Sequence, residues 1–212
     1  MKKYFLSMIS FLMISCLSLT LLPLSAQAND GDPVSMLQSV ANQLIASLKS
    51  NRTSLKENPS LVYSLANRIV VPHADLGEMS KRVLPPQTWN SATPAQRAKF
   101  QRQFTTLLVR TYASALAEYR DQTVKFYPVR GGYQGKSSVR VDSQIIRSDG
   151  PSISVSYRLL SNGSTWRLYD MTVEGVSMLE SFRSQFADQL ARGNMAELIR
   201  VLDQHNSTNS GR

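Results

Sequence analysis

The spacing of apolar positions changes at about residue 120, and this divides the chain into two parts. From residue 33 to residue 119 apolar side chains recur three or four positions apart, which predicts amphipathic helices. Three helix starts carry a capping residue followed by proline in the first turn. The predicted helices begin at Asp32-Pro33, at Asn58-Pro59 and at Thr93-Pro94-Ala95-Gln96, and end near Ser50, Pro72 and Tyr119; a shorter helix covers Ala74 to Leu84 before the break at Pro85-Pro86.

After Arg120 the apolar period becomes two, which predicts an antiparallel sheet. Short turn sequences at 148–151 and 161–164 join neighbouring strands, so the simplest sheet is a meander. Two helices follow, one ending near Gly193 and the other containing Met195 to Leu202, and residues 206–212 are expected to form a disordered tail. The four predicted strands are Thr123 to Val129, Ser137 to Arg147, Ser152 to Leu159 and Thr165 to Glu174.

The segment from Trp166 to Met178 is the most informative part of the chain. Its strand has apolar side chains on both faces, which indicates a strand covered on both sides. Gly175 permits a tight turn, and Ser177 with Glu180 predicts a capping box at the next helix. The chain is therefore expected to be α+β, a twisted antiparallel sheet of about four strands with helices packed around it. Such a layer can close around an apolar cavity.

The N-terminus has the pattern of a cleaved secretory signal peptide over residues 1–28. Lys2 and Lys3 precede an apolar run that ends at Ala26-Gln27-Ala28, and a retained anchor or lipidation at Cys16 is the less favoured alternative. Residues 29–205 are expected to form a single exported domain. Because Cys16 is the only cysteine, the mature chain is predicted to have no disulfide and no thiolate metal site. The formal net charge of +9 falls by two when the signal leaves, which suits anionic lipid or an acidic partner more than nucleic acid.

Candidate catalytic groups are few. The two histidines, His73 and His205, have no metal-binding spacing and no nucleophile motif beside them. Asp170 and Glu174 lie at even spacing on one strand and could form a carboxylate pair, but a buried acidic residue in a strand more often bonds backbone amides or an arginine such as Arg158. The glycines of 131–135 lie between strands, which predicts a hairpin connection and not a phosphate loop. No catalytic residue, metal or cofactor is therefore predicted.

Several segments together resemble the MlaC family, also called the toluene-tolerance family. They are Tyr169-Asp170-Met171, Glu174-Gly175-Val176-Ser177-Met178, the segment 91–97 and the helix segment 107–116, and the resemblance extends from about Pro33 to Leu202. It implies a monomeric periplasmic phospholipid carrier that moves lipid between an outer-membrane lipoprotein and porin complex and an inner-membrane MCE-domain ABC transporter. The pathway maintains outer-membrane lipid asymmetry. Phospholipid would be cargo and not a cofactor.

The resemblance also implies a pocket for acyl chains, and methionine, aliphatic and aromatic side chains suit its lining. Two alternatives stay open. One is a carrier of another apolar molecule, a hopanoid or a hydrocarbon solute, and the other is an enzyme with a sheet like that of nuclear transport factor 2, using Asp170 or His73 as acid or base. The expected lipid-binding residues are Leu108, Tyr112, Leu116, Val139, Val141, Ile153, Val155, Tyr157, Met171, Val173, Val176 and Met178.

Overall fold

A computed structural model describes residues 31–58 and 60–208. The predicted signal peptide, residues 1–28, and the last four residues, 209–212, lie outside the described residues. The described helices are α1 (Pro33–Ser50), α2 (Arg52–Glu57), α3 (Leu61–Ile69), α4 (Leu76–Val83), α5 (Pro86–Ser91), α6 (Pro94–Ala117), α7 (Met178–Leu190) and α8 (Met195–Thr208), with a 3-10 turn at Val71–His73. The strands are β1 (Thr123–Phe126), β2 (Ser138–Ile146), β3 (Ile153–Ser161), β4 (Trp166–Val173) and β5 (Val176–Ser177).

The predicted starts of α1 and α6 are confirmed by their side-chain caps; α3 begins at Leu61 after Ser60, which makes no side-chain cap hydrogen bond, and Pro59 lies outside the described residues. The Asp32 carboxylate accepts hydrogen bonds from the backbone N–H groups of Val34 at 3.1 Å and Ser35 at 3.3 Å, which satisfies two donors that lack partners within α1. Thr93 and Gln96 form both halves of a capping box at α6. Ser177 caps α7 through Glu180 N–H, whereas the Glu180 carboxylate lies 3.5 Å from Arg183, so that box is half formed.

Two short helices, α2 and α5, were not predicted. The break at Pro85-Pro86 ends α4 as expected, but Pro86 also opens α5, because proline lacks only an N–H that the first helical turn does not need. Helix α2 follows directly after α1, beginning at Arg52. It has only one and a half turns and no side-chain cap, so its sequence carries little signal.

The disordered tail predicted over 206–212 is wrong for residues 206–208. Helix α8 continues to Thr208, and Asn206 is buried. Its side-chain amide donates hydrogen bonds to the Gln103 backbone carbonyl at 2.9 Å and to Gln103 Oε1 at 2.7 Å. The last turn of α8 is thus held against α6 by a polar residue, which a search for apolar periodicity does not detect.

The sheet is the predicted antiparallel meander, in the order β1-β2-β3-β4-β5. All four predicted strands are present, and β5 adds a fifth of two residues. Glu174 and Gly175 join β4 to β5 with positive φ at both positions, 48° and 84°. Two successive positive φ values belong to the tight turn that suits a twisted hairpin. The predicted run of strand into helix is therefore a hairpin followed by α7.

The buried apolar side chains form two clusters. The first cluster joins α4, the N-terminal part of α6, α7 and α8, and four of its phenylalanines, Phe100, Phe104, Phe182 and Phe186, stack or meet edge to face. The second cluster joins α1, α3 and the C-terminal part of α6 to strands β2, β3 and β4. Helix α6 contributes to both clusters and connects the two halves of the interior.

Candidate functional site

One face of the sheet is mostly apolar, with the buried Ser143 as a polar residue within it. Side chains alternate between the two faces of a strand, so Val139, Val141 and Ile145 of β2 share a face. The register places Val141 opposite Tyr157, and Tyr157 opposite Met171. We call this surface the inner face, because α1, α3 and α6 pack on part of it.

The covered part of the inner face contains Val139, Val141, Tyr157 and Leu159, all within the second cluster. Val141 and Leu159 have no exposed surface. Burial raises the pKa of the Tyr157 hydroxyl above its ordinary value, and the Ser143 hydroxyl, which donates to it at 3.4 Å, partly opposes that shift. This part of the face is thus a dry, packed interior.

The remainder of the inner face lies outside both clusters of the described residues. We call it the open half, and it consists of Val124, Ile145, Ile153, Val155, Val173 and Val176. Two rows cross it: Val124, Ile145 and Ile153 are register partners, as are Val155, Val173 and Val176. Val176 at its edge is 64% exposed. Val155 is itself buried, 4% exposed, so the uncovered apolar surface comes from the other five residues of the open half.

A groove of about 440 Å³ lies between α1 and β1. Phe126 lines the groove with its aromatic ring. The centroid of this ring is 5.6 Å from that of Tyr157, in the covered part of the inner face. The other lining residues, all from α1, are Val34, Ser35, Gln38, Ser39, Asn42 and Gln43. The groove therefore has a polar, uncharged rim from α1, and the Phe126 ring connects it through Tyr157 to the second cluster.

The structure distributes the twelve expected lipid-binding residues over three places. Those of the first cluster or its border are Leu108, Tyr112, Met171 and Met178; those of the second are Leu116, Val139, Val141 and Tyr157; and those of the open half are Ile153, Val155, Val173 and Val176. The pair Tyr157 and Met171 links the second cluster to the first. The groove residues Phe126, Gln38 and Asn42 were not predicted, although the alternation of Val124 and Phe126 on β1 was a signal for one of them.

Asp170 is buried with its carboxylate fully engaged. Its Oδ1 accepts hydrogen bonds from the backbone N–H groups of Met171 at 2.9 Å and Leu179 at 3.1 Å, and the Ser177 hydroxyl lies within 3.1 Å of both oxygens. The interpretation of Asp170 as a structural residue bonded to backbone amides is confirmed. Its register partner is Arg158, but the salt bridges among the described residues do not include Asp170.

Tyr112 lies between α6 and α7, with its ring centroid 6.2 Å from that of Phe182. Burial raises the pKa of its hydroxyl, and the negative charge of Asp170 raises it further. His73 lies in the 3-10 turn and His205 is exposed on α8. No group of His, Cys, Asp and Glu side chains in the described part of the chain is arranged to hold a metal ion.

None of the described helices is long and apolar enough to cross a membrane. The family model described as MlaC protein matches residues 38–204. The chain is 30% identical over 192 residues to the toluene tolerance protein ttg2D of Pseudomonas putida, covering 91% of this chain and 86% of that protein. It is 26% identical over 176 residues to the intermembrane phospholipid transport system binding protein MlaC of Haemophilus influenzae, covering 81% of each.

A solved structure has a similar fold. It is a phospholipid-binding protein from Ralstonia solanacearum in complex with a phospholipid, with a TM-score of 0.76 and 30% identity over 84% of this chain and 98% of that one. The recognition from Tyr169-Asp170-Met171 and its neighbouring segments is confirmed by the family match, which includes those residues. The chain belongs to the MlaC family.

Proposed function

We propose that this protein is a periplasmic phospholipid carrier whose inner face receives the acyl chains. The observation that carries the proposal is an apolar sheet face that continues from a packed interior to the open half. The Ralstonia relative, similar over 84% of this chain, was solved with a phospholipid bound. A carrier that releases its cargo intact needs no covalent chemistry, and the engaged carboxylate of Asp170 suits that role better than acid or base catalysis.

Burial of the acyl chains supplies the binding energy. Each methylene removed from water contributes about 0.8 kcal/mol, so two long chains bind strongly to any dry surface large enough to cover them. The open half accepts the first methylenes without rearrangement. Deeper insertion replaces the packing of Val141 and Leu159 against the α1 and α3 side chains of the second cluster, because neither side chain has free surface. Binding therefore requires the helices to move away from the covered part of the inner face.

The groove between α1 and β1 is the proposed headgroup end. Its rim offers amides and hydroxyls from Gln38, Asn42 and Gln43 together with Ser35 and Ser39, and these groups can bond phosphate or glycerol oxygens. Since the rim residues are uncharged, the groove is expected to accept zwitterionic and anionic headgroups alike. Phe126 at its base marks where apolar surface begins.

The transport route is part of the same proposal. Export by the predicted signal peptide places the mature chain in the periplasm, where it exchanges lipid as a monomer with an inner-membrane MCE-domain ABC transporter and an outer-membrane lipoprotein and porin complex. The Haemophilus relative is the binding protein of an intermembrane phospholipid transport system, which supports this route.

The first test is the cargo itself. The mature protein, purified from the native periplasm without detergent, is extracted with organic solvent and analysed by mass spectrometry, with native mass spectrometry for stoichiometry. Phospholipid close to one molecule per chain is expected. A hopanoid or hydrocarbon in the extract would support the alternative cargo. A folded protein with no bound lipid would contradict a carrier function.

The matched variants are Val176→Glu and Ile146→Glu. Both residues are exposed aliphatic residues near the same end of the sheet, 64% and 42% exposed, but Val176 aligns with the inner face whereas Ile146 follows inner-face Ile145 and points the other way. A charge on the open half opposes acyl chains, so Val176→Glu is expected to lose most of its lipid while Ile146→Glu keeps it. Equal lipid content in the two folded variants would contradict the open half as lipid surface.

A further inference from the structure

The outer face of the sheet is polar and carries several exposed cations. Arg140, Asp142 and Gln144 of β2 alternate with the inner-face residues, and their register partners on β3 are Arg158, Ser156 and Ser154. Lys125 of β1 lies opposite Gln144 on the same face. We call the exposed cations Lys125, Arg130, Arg140 and Arg158 the basic sheet face.

The four cations of the basic sheet face and Asp142 give a net +3, and the other cations of the sheet region are Lys136, Arg147 and Arg167. Residues 123–167 contain seven Lys or Arg and two Asp, a net +5 out of the chain's +9. Asp142 is shared by two of these arginines, with Arg140 Nε at 2.7 Å and Arg130 Nε at 4.0 Å. Within the described part of the chain, neither Lys125 nor Arg158 takes part in a salt bridge. Arg140 and Arg158 are also direct cross-strand partners, an arrangement of like charges that costs stability.

A groove of about 470 Å³ is lined by Arg130 and Arg140 of the basic sheet face, and Arg158 is the cross-strand partner of Arg140 beside it. Tyr127, Pro128 and Arg130 border it on one side, Thr172 and Gly175 line it on the other, and the buried Ser156 lies between. Tyr127 is fixed there by its hydroxyl, which donates to Gln144 Oε1 at 2.8 Å. The groove is therefore a concave polar surface, with Tyr127 held at one side by this hydrogen bond.

We propose that the basic sheet face docks an acidic segment of a partner protein. The groove is lined mainly by outer-face residues and is distinct from the proposed headgroup groove between α1 and β1, although the inner-face residues Ser143 and Val155 also border it. A flat anionic bilayer cannot enter the recess, and its negative charge repels Asp142. A polypeptide can place carboxylates beside Arg140 and Arg158 and a hydrogen-bond donor beside Asp142. Such complementarity selects partners and accelerates association. The docking surface is additional to the lipid carrier function and does not depend on which cargo the inner face carries.

The test uses the full mature chain and two probes, poly-L-glutamate and vesicles of phosphatidylcholine with phosphatidylglycerol. Binding is measured across a salt series for the wild type, for the double variant Arg140→Glu/Arg158→Glu, and for the control Lys81→Glu/Arg102→Glu. The control makes the same change in charge at exposed cations of α4 and α6. Loss of two contacts and reversal of their charge are expected to weaken poly-L-glutamate binding by about tenfold or more at low salt, against about twofold for the control.

Backbone amide NMR shifts locate the site independently. Poly-L-glutamate is expected to shift the amides of 140–144 and 154–158 and to leave those of α7 and α8 in place. Equal losses in both double variants, shifts spread over the helices, or binding to vesicles but not to poly-L-glutamate would overturn the proposal. Lipid content measured on the same samples is expected to remain unchanged, so a failure of docking is distinguishable from a failure of cargo binding.

Discussion

At the scale of residues, Asp170 connects the sheet to the helix that follows it. Its carboxylate accepts from Leu179 N–H in the first turn of α7 and from Met171 N–H in its own strand, and it holds the capping hydroxyl of Ser177. A carboxylate near a helix N-terminus is also favoured by the helix dipole. The acidic residue in the motif Tyr169-Asp170-Met171 thus fixes how β4, β5 and α7 meet, and it explains why the motif includes residues on both sides of the turn.

Asp170→Ala is expected to lower the free energy of unfolding by about 2–4 kcal/mol, because it leaves buried N–H groups without acceptors. Asp170→Asn keeps one acceptor oxygen, so its loss is expected to be smaller, about 1–2 kcal/mol. Urea unfolding at neutral pH measures both. Equal destabilisation by the two variants, or none by either, would show that hydrogen bonding is not the role of this carboxylate.

At the scale of elements, the C-terminal turn of α8 illustrates how polar residues extend a helix. Asn206 donates to Gln103, Gln103 Nε2 donates to Asp203 Oδ1 at 2.7 Å, and Arg110 donates to the Asn206 carbonyl. These bonds tie α8 to α6 beyond the last apolar contact at Leu202. The end of α8 is therefore part of the folded domain.

Two truncations test this. A chain ending at His205 loses Asn206 and its bonds to α6, and its unfolding free energy is expected to fall by about 2 kcal/mol, or about 4–8 °C in Tm. A chain ending at Thr208 keeps those bonds and serves as the control with no change expected. Thermal unfolding followed by circular dichroism measures the difference. Identical melting of the two chains would mean that the Asn206 bonds contribute nothing measurable.

At the scale of the whole molecule, the interior is divided into two clusters, so the helices of the second cluster can move while the first cluster stays packed. The phenylalanines of the first cluster connect α6 with α7, whereas the covered inner face belongs to the second cluster. In the proposed mode of binding, the second cluster is the part that the acyl chains enter. Separation of α1 and α3 from the sheet therefore leaves the first cluster intact.

Amide hydrogen exchange of lipid-loaded and delipidated protein is expected to reflect that division. Removal of lipid should change protection in α1, α3 and the inner-face strands β2 and β3, because these elements cover the chains. Protection in α7 and α8 is expected to be the same in both forms and provides the internal reference. A change concentrated in α7 and α8 would place the chains in the first cluster instead.

Local patterns were sufficient for the fold class. The caps at Asp32 and Thr93, the switch of period after Arg120 and the turns at 148–151 and 161–164 predicted most elements and the meander, because each signal involves residues close in sequence. The family was also evident from Tyr169-Asp170-Met171 and the glycine turn that follows. Helix α5 was missed because its proline signals both an end and a start.

Only the tertiary structure decided how the apolar residues are shared. Val141 and Val173 have the same character and lie on the same face, yet one is fully covered by helices and the other belongs to the open half. The basic sheet face is likewise a product of register, since Arg140 and Arg158 are 18 positions apart and become neighbours only when β2 pairs with β3. Alternation along a strand determines which side chains share a face; the placement of helices over that face determines which of them meet solvent or lipid.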